Sequence, residues 1–357
     1  MKFTIPALAL LSATLTLAHP EKLTSENLEH QKREVGRSTG RCAAAIEARK
    51  AKMLKARSVR LLERRIASGN LNVNRRDMMS GSMSKRNELK YTTIQNDTCV
   101  LAPETIFGPY AVDGEMNRHD LRETQAGIDF YLDIGVLDLT TCEPLTNAAL
   151  TIWSCNATGS YSSYTGVNPD TVELFDGWTK REDGTTDDET FLRGVQKTDS
   201  NGMVEFLTTF PGYYASRTTH MHVTVQSDVT NGTSYSQSGT QHIGQLFFDE
   251  DLLNTVYATA PYSAHLDTLT RVTNANDSIF TEASANGYSA TVSVELIGET
   301  VEEGLVGYIT VGVNPDAEDA VTTGGTVNPQ GLIPTVSIAE EKKAQATAAD
   351  KAAGYTE

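Results

Sequence analysis

Between about Cys99 and about Val313, apolar and polar residues take turns in short runs punctuated by Gly, Asn, Asp and Pro. The stretch Leu132-Asp133-Ile134-Gly135-Val136-Leu137-Asp138-Leu139 alternates with period two, the spacing of a strand with one buried face. Ala149 to Trp153, Met203 to Thr208, His220 to Val225, Ala290 to Leu296 and Gly307 to Val313 read as further strands. Asp199-Ser200-Asn201-Gly202 is a turn signal ahead of one of them. Many short strands joined by such turns predict an all-β fold, a β-sandwich. The pattern leaves room for no more than a turn or two of helix, near Asp249–Thr255.

The flanks have a different texture. Residues 40–66 predict a helical extension. Ile46, Met53, Leu54, Leu61 and Leu62 recur at roughly helical spacing, with no Gly or Pro between Arg41 and Ile66. Residues 67–90 are polar and read as linker. Residues 316–357 are poor in apolar side chains and predict a low-complexity tail, disordered or at most weakly helical. The start reads as a signal peptide over residues 1–18: Lys2, an apolar run from Ile5 to Leu17, and a small-x-small site at Thr16-Leu17-Ala18. The organisation is then leader, basic region over 19–90, sandwich domain over 91–315, and tail. The apolar run is too short to span a bilayer and ends at His19-Pro20, and no later segment qualifies, so no membrane partner is expected.

Charge sharpens this division. Residues 19–90 carry 18 Lys+Arg against 8 Asp+Glu, whereas the whole chain has a net charge of -16. A basic front therefore precedes a strongly acidic body, which would repel phosphate, so no nucleic-acid partner is expected. Dibasic pairs at Lys32-Arg33, Arg64-Arg65, Arg75-Arg76 and Lys85-Arg86 leave both propeptide removal and retention open. A secreted, extracellular location fits four N-glycosylation sequons, at Asn96, Asn156, Asn231 and Asn276. It also fits four cysteines, Cys42, Cys99, Cys142 and Cys155, which allow three pairings into two disulfides.

The candidate chemistry lies in the sandwich region. In His220-Met221-His222, alternate residues of a strand share a face, so both imidazoles can reach one point. Alone, such a pair is more often two polar residues on a half-buried strand. Just ahead, Pro211-Gly212 delivers Tyr213, Tyr214 and Arg217; upstream, a strand ending at Trp153 runs through Gly159 to Tyr161; downstream lies Gly244-Gln245-Leu246-Phe247-Phe248. Singly, each of these residues has an ordinary packing or surface role. Two phenolates with two imidazoles would favour Fe(III). Zinc sites prefer Cys, His and carboxylates, and the facial triad of Fe(II) oxygenases needs a carboxylate.

The ordered set resembles the intradiol ring-cleavage dioxygenase family, most closely its secreted fungal branch. The resemblance runs over roughly residues 99–260. It is carried by Cys99 to Glu104 with Gly108-Pro109-Tyr110, Asp113-Gly114-Glu115, Trp153 to Tyr161, Phe191 to Gly194 with Thr198-Asp199 and Asn201-Gly202, Phe210 to His222, and Gly244 to Phe248. It implies a non-haem Fe(III) cofactor held by Tyr161, Tyr214, His220 and His222. It further implies a small aromatic diol and O2 as partners, with Tyr214 as the ligand displaced by substrate, Arg217 beside the substrate and Gln245 near the iron. Tyr213 is the alternative to Tyr214. Family members often carry Gly-Pro-Tyr-Tyr, Trp-His-Cys and Pro-Gly-His-Tyr where this chain has Gly108-Pro109-Tyr110-Ala111, Trp153-Ser154-Cys155 and Pro211-Gly212-Tyr213-Tyr214. These departures bear on pocket shape and remove no ligand. The acidic stretch Asn168–Thr190 is expected beside the mouth of the site, and His119 and His242 on the surface. A homodimer stays open. The competing readings are a catalytically silent secreted β-sandwich binding module and a zinc-dependent hydrolase.

Overall fold

The structure is a computed structural model that describes residues 42, 59–67, 69, 107–171, 181–227, 229, 240–284, 289–316 and 333–355. Among the described residues, eight strands form two four-stranded sheets. The first has the order β4-β1-β8-β7, from β1 (Asp129–Asp138), β4 (Met203–Thr209), β7 (Ser293–Leu296) and β8 (Leu305–Val313). The second has the order β3-β2-β5-β6, from β2 (Ala149–Trp153), β3 (Arg193–Lys197), β5 (His220–Gln226) and β6 (His242–Phe247). All pairs are antiparallel except β1 with β8.

The period-two pattern explains the core between them. Phe130, Leu132, Ile134 and Val136 of β1 meet Leu150 and Ile152 of β2 and Met221, Val223 and Val225 of β5 in one apolar cluster. The alternate residues of each strand therefore face outward. The run from Ala290 to Leu296, expected as one strand, is divided between the sheets. Phe247 of β6 exchanges backbone hydrogen bonds with Ala290 and Val292, and only Ser293–Leu296 pairs with β8. The short helix expected near Asp249 is present over Glu250–Val256, with the Asp249 carboxylate accepting from Asp251 N–H as its cap.

The outer face of the first sheet is covered by both ends of the chain. A helix over residues 59–67 lays Leu61 against Tyr131, Ile297 and Val306. Arg64 sits 3.8 Å over the Tyr131 ring and pairs with Glu205, while Arg60 reaches both Asp133 and Glu205 at 3.3 Å. A Cys42–Cys142 disulfide ties the front to the core. Two disulfides were expected. Cys155 is instead a buried free thiol, pushed up to about 12 by burial and hence inert, and Cys99 lies outside the described residues, as do the leader and the rest of the front apart from residue 69.

Of the two expectations for the tail, disorder or weak helix, the second holds over Glu340–Ala352, and the tail is docked rather than loose. Asp113 exchanges backbone hydrogen bonds with Pro334 and Val336, and Glu340–Ala352 forms a helix. Strong helix formers need no apolar stripe when the docking is polar. The Asp350 carboxylate accepts from the His119 and Asp120 N–H groups, and Tyr355 stacks on His119 at 4.3 Å and donates to Glu205 at 2.8 Å.

Candidate metal centre

The centre lies on the outer face of the second sheet. Register places it there. Met221 of β5 faces the core, so His220 and His222 face away from it. Across the ladder, His222 is flanked by Trp153 of β2 and Gln245 of β6, while His220 opposes Phe247. The Trp153 ring stacks on His222 at 4.8 Å and fixes its plane.

Two loops bring the tyrosines over this face. After β2 the chain turns through Asn156, whose side-chain oxygen accepts from the Thr158 and Ser160 N–H groups. Gly159 has φ +86°, and a Cβ there would meet the Tyr213 carbonyl at 2.3 Å, so this turn requires glycine. Gly212 donates to the Asn156 carbonyl at 3.2 Å, which brings the loop bearing Tyr214 alongside the loop bearing Tyr161. Beneath them, buried Arg193 donates to the Ser162 hydroxyl and carbonyl, the Tyr110 carbonyl and Glu115. It thereby pins the residue next to Tyr161. Tyr110 stacks on Tyr161 at 4.3 Å.

Tyr161, Tyr214, His220 and His222 converge in a closed circuit. Ring centroids are 5.0 Å apart for His220 and His222, 6.3 Å for His222 and Tyr161, 5.7 Å for Tyr161 and Tyr214, and 5.5 Å for Tyr214 and His220. All four side chains are buried. The Tyr161 hydroxyl makes no hydrogen bond of ordinary geometry with a described residue. Tyr213 turns the other way. It stacks on His265 and donates to the Leu269 carbonyl, which settles the choice of tyrosine facing the histidines in favour of Tyr214.

Protonation follows from burial. Both histidines are held well below their ordinary range, first by desolvation and then by neighbouring positive charge, so the rings are neutral. The His220 Nδ1 lies 2.7 Å from the Thr218 carbonyl, which only accepts; Nδ1 therefore carries the proton and Nε2 a lone pair. That lone pair faces the Tyr214 hydroxyl at 3.3 Å and Arg217 Nη1 at 3.4 Å. Desolvation raises both phenols, so without a strong cation nearby they stay protonated. Arg217 Nη2 donates to Gln245 Oε1 at 2.7 Å, so these two candidates stand together at the edge of the ring circuit.

Among the described residues, no group of three or more His, Cys, Asp and Glu is placed to hold a metal. The convergence depends on the tyrosines. The acidic stretch does pack beside the loops, where described. The Pro169 carbonyl accepts from Ala215 N–H, and Ser163 bonds Thr186 and Glu189; residues 172–180 lie outside the described residues. His242 is a correction, being buried rather than superficial, and His119 is half-buried under Tyr355. Trp153, read from the sequence only as the end of a strand, stacks on His222, and the register of β2 against β5 was the signal for it. Sequence reasoning passed over Asp277, which forms an ion pair with Arg217 and lies sixty residues away in sequence with no signal to point to it. Of the described sequons, Asn156 has its amide nitrogen on Gln125, while Asn276 is exposed.

No family model and no curated protein sequence matches the chain. Solved structures do. An intradiol ring-cleavage dioxygenase from Tetranychus urticae is 29% identical, matched over 62% of this chain and 98% of its own, with a TM-score of 0.49. The dioxygenase domain of a dioxygenase carbohydrate-binding protein fusion from Streptomyces sp. SirexAA-E is 20% identical over 60% and 98%, with a TM-score of 0.38. Hydroxyquinol 1,2-dioxygenase from Pseudomonas putida DLL-E4 is 17% identical over 66% and 71%, with a TM-score of 0.36.

Proposed function

We propose that the chain is a secreted non-haem Fe(III) dioxygenase that opens a catechol-like ring between its two hydroxylated carbons. The observation that carries this reading is the closed circuit of two buried phenols and two neutral imidazoles on one sheet face. The donor set fits a ferric ion: hard phenolate oxygens suit a highly charged cation, and a neutral imidazole is the form of histidine that ligates. Tyr161, Tyr214, His220 and His222 would hold it. Bound there, Fe(III) would draw electron density from a chelated diol and make the ring susceptible to O2.

The protein's own groups supply the rest. Tyr214 is a phenol kept protonated by its surroundings, so as a phenolate released from a metal it would take a proton from an incoming diol. Arg217 keeps its charge despite complete burial because Asp277 pairs with it, and it can stabilise negative charge developing on the substrate. Gln245 fixes the guanidinium plane. Trp153, Tyr110 and Phe107 pack with Tyr161 and Tyr214 in one buried cluster, an apolar setting for the site. Both atoms of O2 would end in the two carboxyl groups of a muconate-type diacid.

Incubation of the iron-loaded protein with catechol under 18O2 tests the reading. The expected outcome is one O2 consumed per catechol and a diacid carrying two labelled oxygens. Binding of catechol without O2 uptake favours the silent binding module. Asp187, Asp188 and Glu189 beside the loops are expected to disfavour anionic diols, so turnover of catechol should exceed that of a carboxylated catechol. The reverse order would remove that part.

A further inference from the structure

Arg217 and His220 sit at the start of β5, a frayed position by rights, yet both are buried. One carboxylate outside the ring circuit holds this corner. Asp277, 2% exposed, accepts from Arg217 Nε at 2.8 Å and Thr218 N–H at 2.9 Å on one oxygen. Its other oxygen accepts from Ile279 N–H at 2.9 Å and Phe280 N–H at 3.0 Å, capping the helix over Ser278–Ala283. Asn274, also buried, accepts from the Thr218 hydroxyl at 2.7 Å and donates to the Phe248 carbonyl at 2.8 Å, tying the same corner to the end of β6. The Thr218 peptide is thus held from both sides, its N–H by Asp277 and its carbonyl by His220 Nδ1.

Arg217 has its three nitrogens assigned by this arrangement. Nε is on Asp277, Nη2 is on Gln245 with a longer contact to Asp277 at 3.5 Å, and Nη1 is left pointing at His220 Nε2. A guanidinium is rigid and planar, so fixing Nε and Nη2 fixes where Nη1 points. We propose that Asp277 is a positioning residue for the reaction proposed above: it aims the Arg217 charge at the substrate position, and it does so through Arg217 rather than by touching substrate or metal. This rests on the dioxygenase reading for its kinetic part and on the clamp geometry alone for its spectroscopic part.

Asp277→Asn separates the two roles of the carboxylate. An asparagine oxygen still caps the helix, since Asn and Asp cap about equally well. Its amide group then opposes Arg217 Nε, donor against donor. The first measurement needs no metal and no substrate. In an arginine-selective 15N spectrum of the metal-free full-length protein, the Arg217 Nε–H, identified by its loss in Arg217→Lys, should be protected from solvent exchange. Asp277→Asn should abolish that protection while the melting temperature stays near wild type. The second is kinetic. In the iron-loaded protein, Asp277→Asn should lower kcat by about 10²-fold with KM changed by no more than about 3-fold and iron content unchanged. In an Arg217→Gln background, the further loss should be under about 3-fold, because the two residues act as one unit. An Arg217 Nε–H that exchanges freely in wild type overturns the proposal, even if the variant does not fold. So do multiplicative losses in the double variant, or an Asp277→Asn protein with wild-type kcat. A wild-type protein that holds its Nε–H but neither binds iron nor consumes O2 overturns the dioxygenase reading and leaves the clamp standing.

Discussion

Each sheet buries polar side chains on its outer face, and the two faces do so in opposite ways. On the first sheet, Asp133 and Glu205 stand side by side on β1 and β4 under the helix over residues 59–67 and Tyr355. Burial, and then Glu205, pushes the Asp133 carboxyl up to about 7, yet these carboxylates are met by Arg60, Arg64 and Tyr355. On the second sheet, the polar groups are neutral rings that meet one another edge to face, and the buried charges beside them, Arg217 and Arg193, are paired with Asp277 and Glu115. A face that pairs its charges internally is holding the fold together. A face that gathers neutral phenols and imidazoles around one point, rather than opposed charges, has the make-up of a candidate site.

This contrast can be broken at either face. The largest effect is expected from His222→Ala, which removes a donor from the circuit: iron binding should fail and ring cleavage should fall by at least about 10³-fold, with the melting temperature little changed. Unaltered turnover would dissolve the distinction. Tyr214→Phe keeps the packing and removes one oxygen, so iron should remain bound while kcat falls by about 10²-fold, read as O2 uptake. His242 sharpens the comparison from the core side of the second sheet. Burial holds it down to about 4. An imidazole lowered from 6.5 is neutral in the folded state while the unfolded chain takes up a proton first. Its contribution is therefore complete above pH 6.5 and is lost as pH falls toward 4, by roughly 3 kcal/mol, so His242→Leu should lessen the fall in urea-melt stability across that window by that amount, leaving the part due to buried His220 and His222. Arg64→Ala strikes the other face. It should cost about 1–3 kcal/mol of stability at neutral pH and leave iron content and kcat at wild-type values. A loss of iron there would mean that the two faces are not separate.

Much of this was legible in the chain before any coordinates. Short runs between turn signals found β2, β4, β5 and β8, because strands packed on one core are short and bounded by turns, and period-two alternation found β1. The same rule, applied to His220 and His222, put both imidazoles on one face. The loop tyrosines were reached only through an ordered resemblance, since nothing in Gly159-Ser160-Tyr161 or Tyr213-Tyr214 says by itself where a phenol will point. The two-way choice at 213 and 214 needed the stacking of Tyr213 on His265. Three things stayed out of reach for one reason, that they join residues far apart through polar contacts without periodicity. These are the docking of the tail through Asp350 and Tyr355, the clasp of Arg60 and Arg64 on Asp133 and Glu205, and the hold of Asp277 on Arg217.

The visible absorption spectrum of carefully purified full-length protein, read together with its metal content, tests the centre most directly. About one iron per chain is expected, with a red-brown phenolate-to-Fe(III) band that shifts when catechol is added without air and that disappears in His222→Ala. A colourless protein that takes up zinc in place of iron, or a band indifferent to both catechol and His222→Ala, would contradict the convergence of Tyr161, Tyr214, His220 and His222 on one ferric ion.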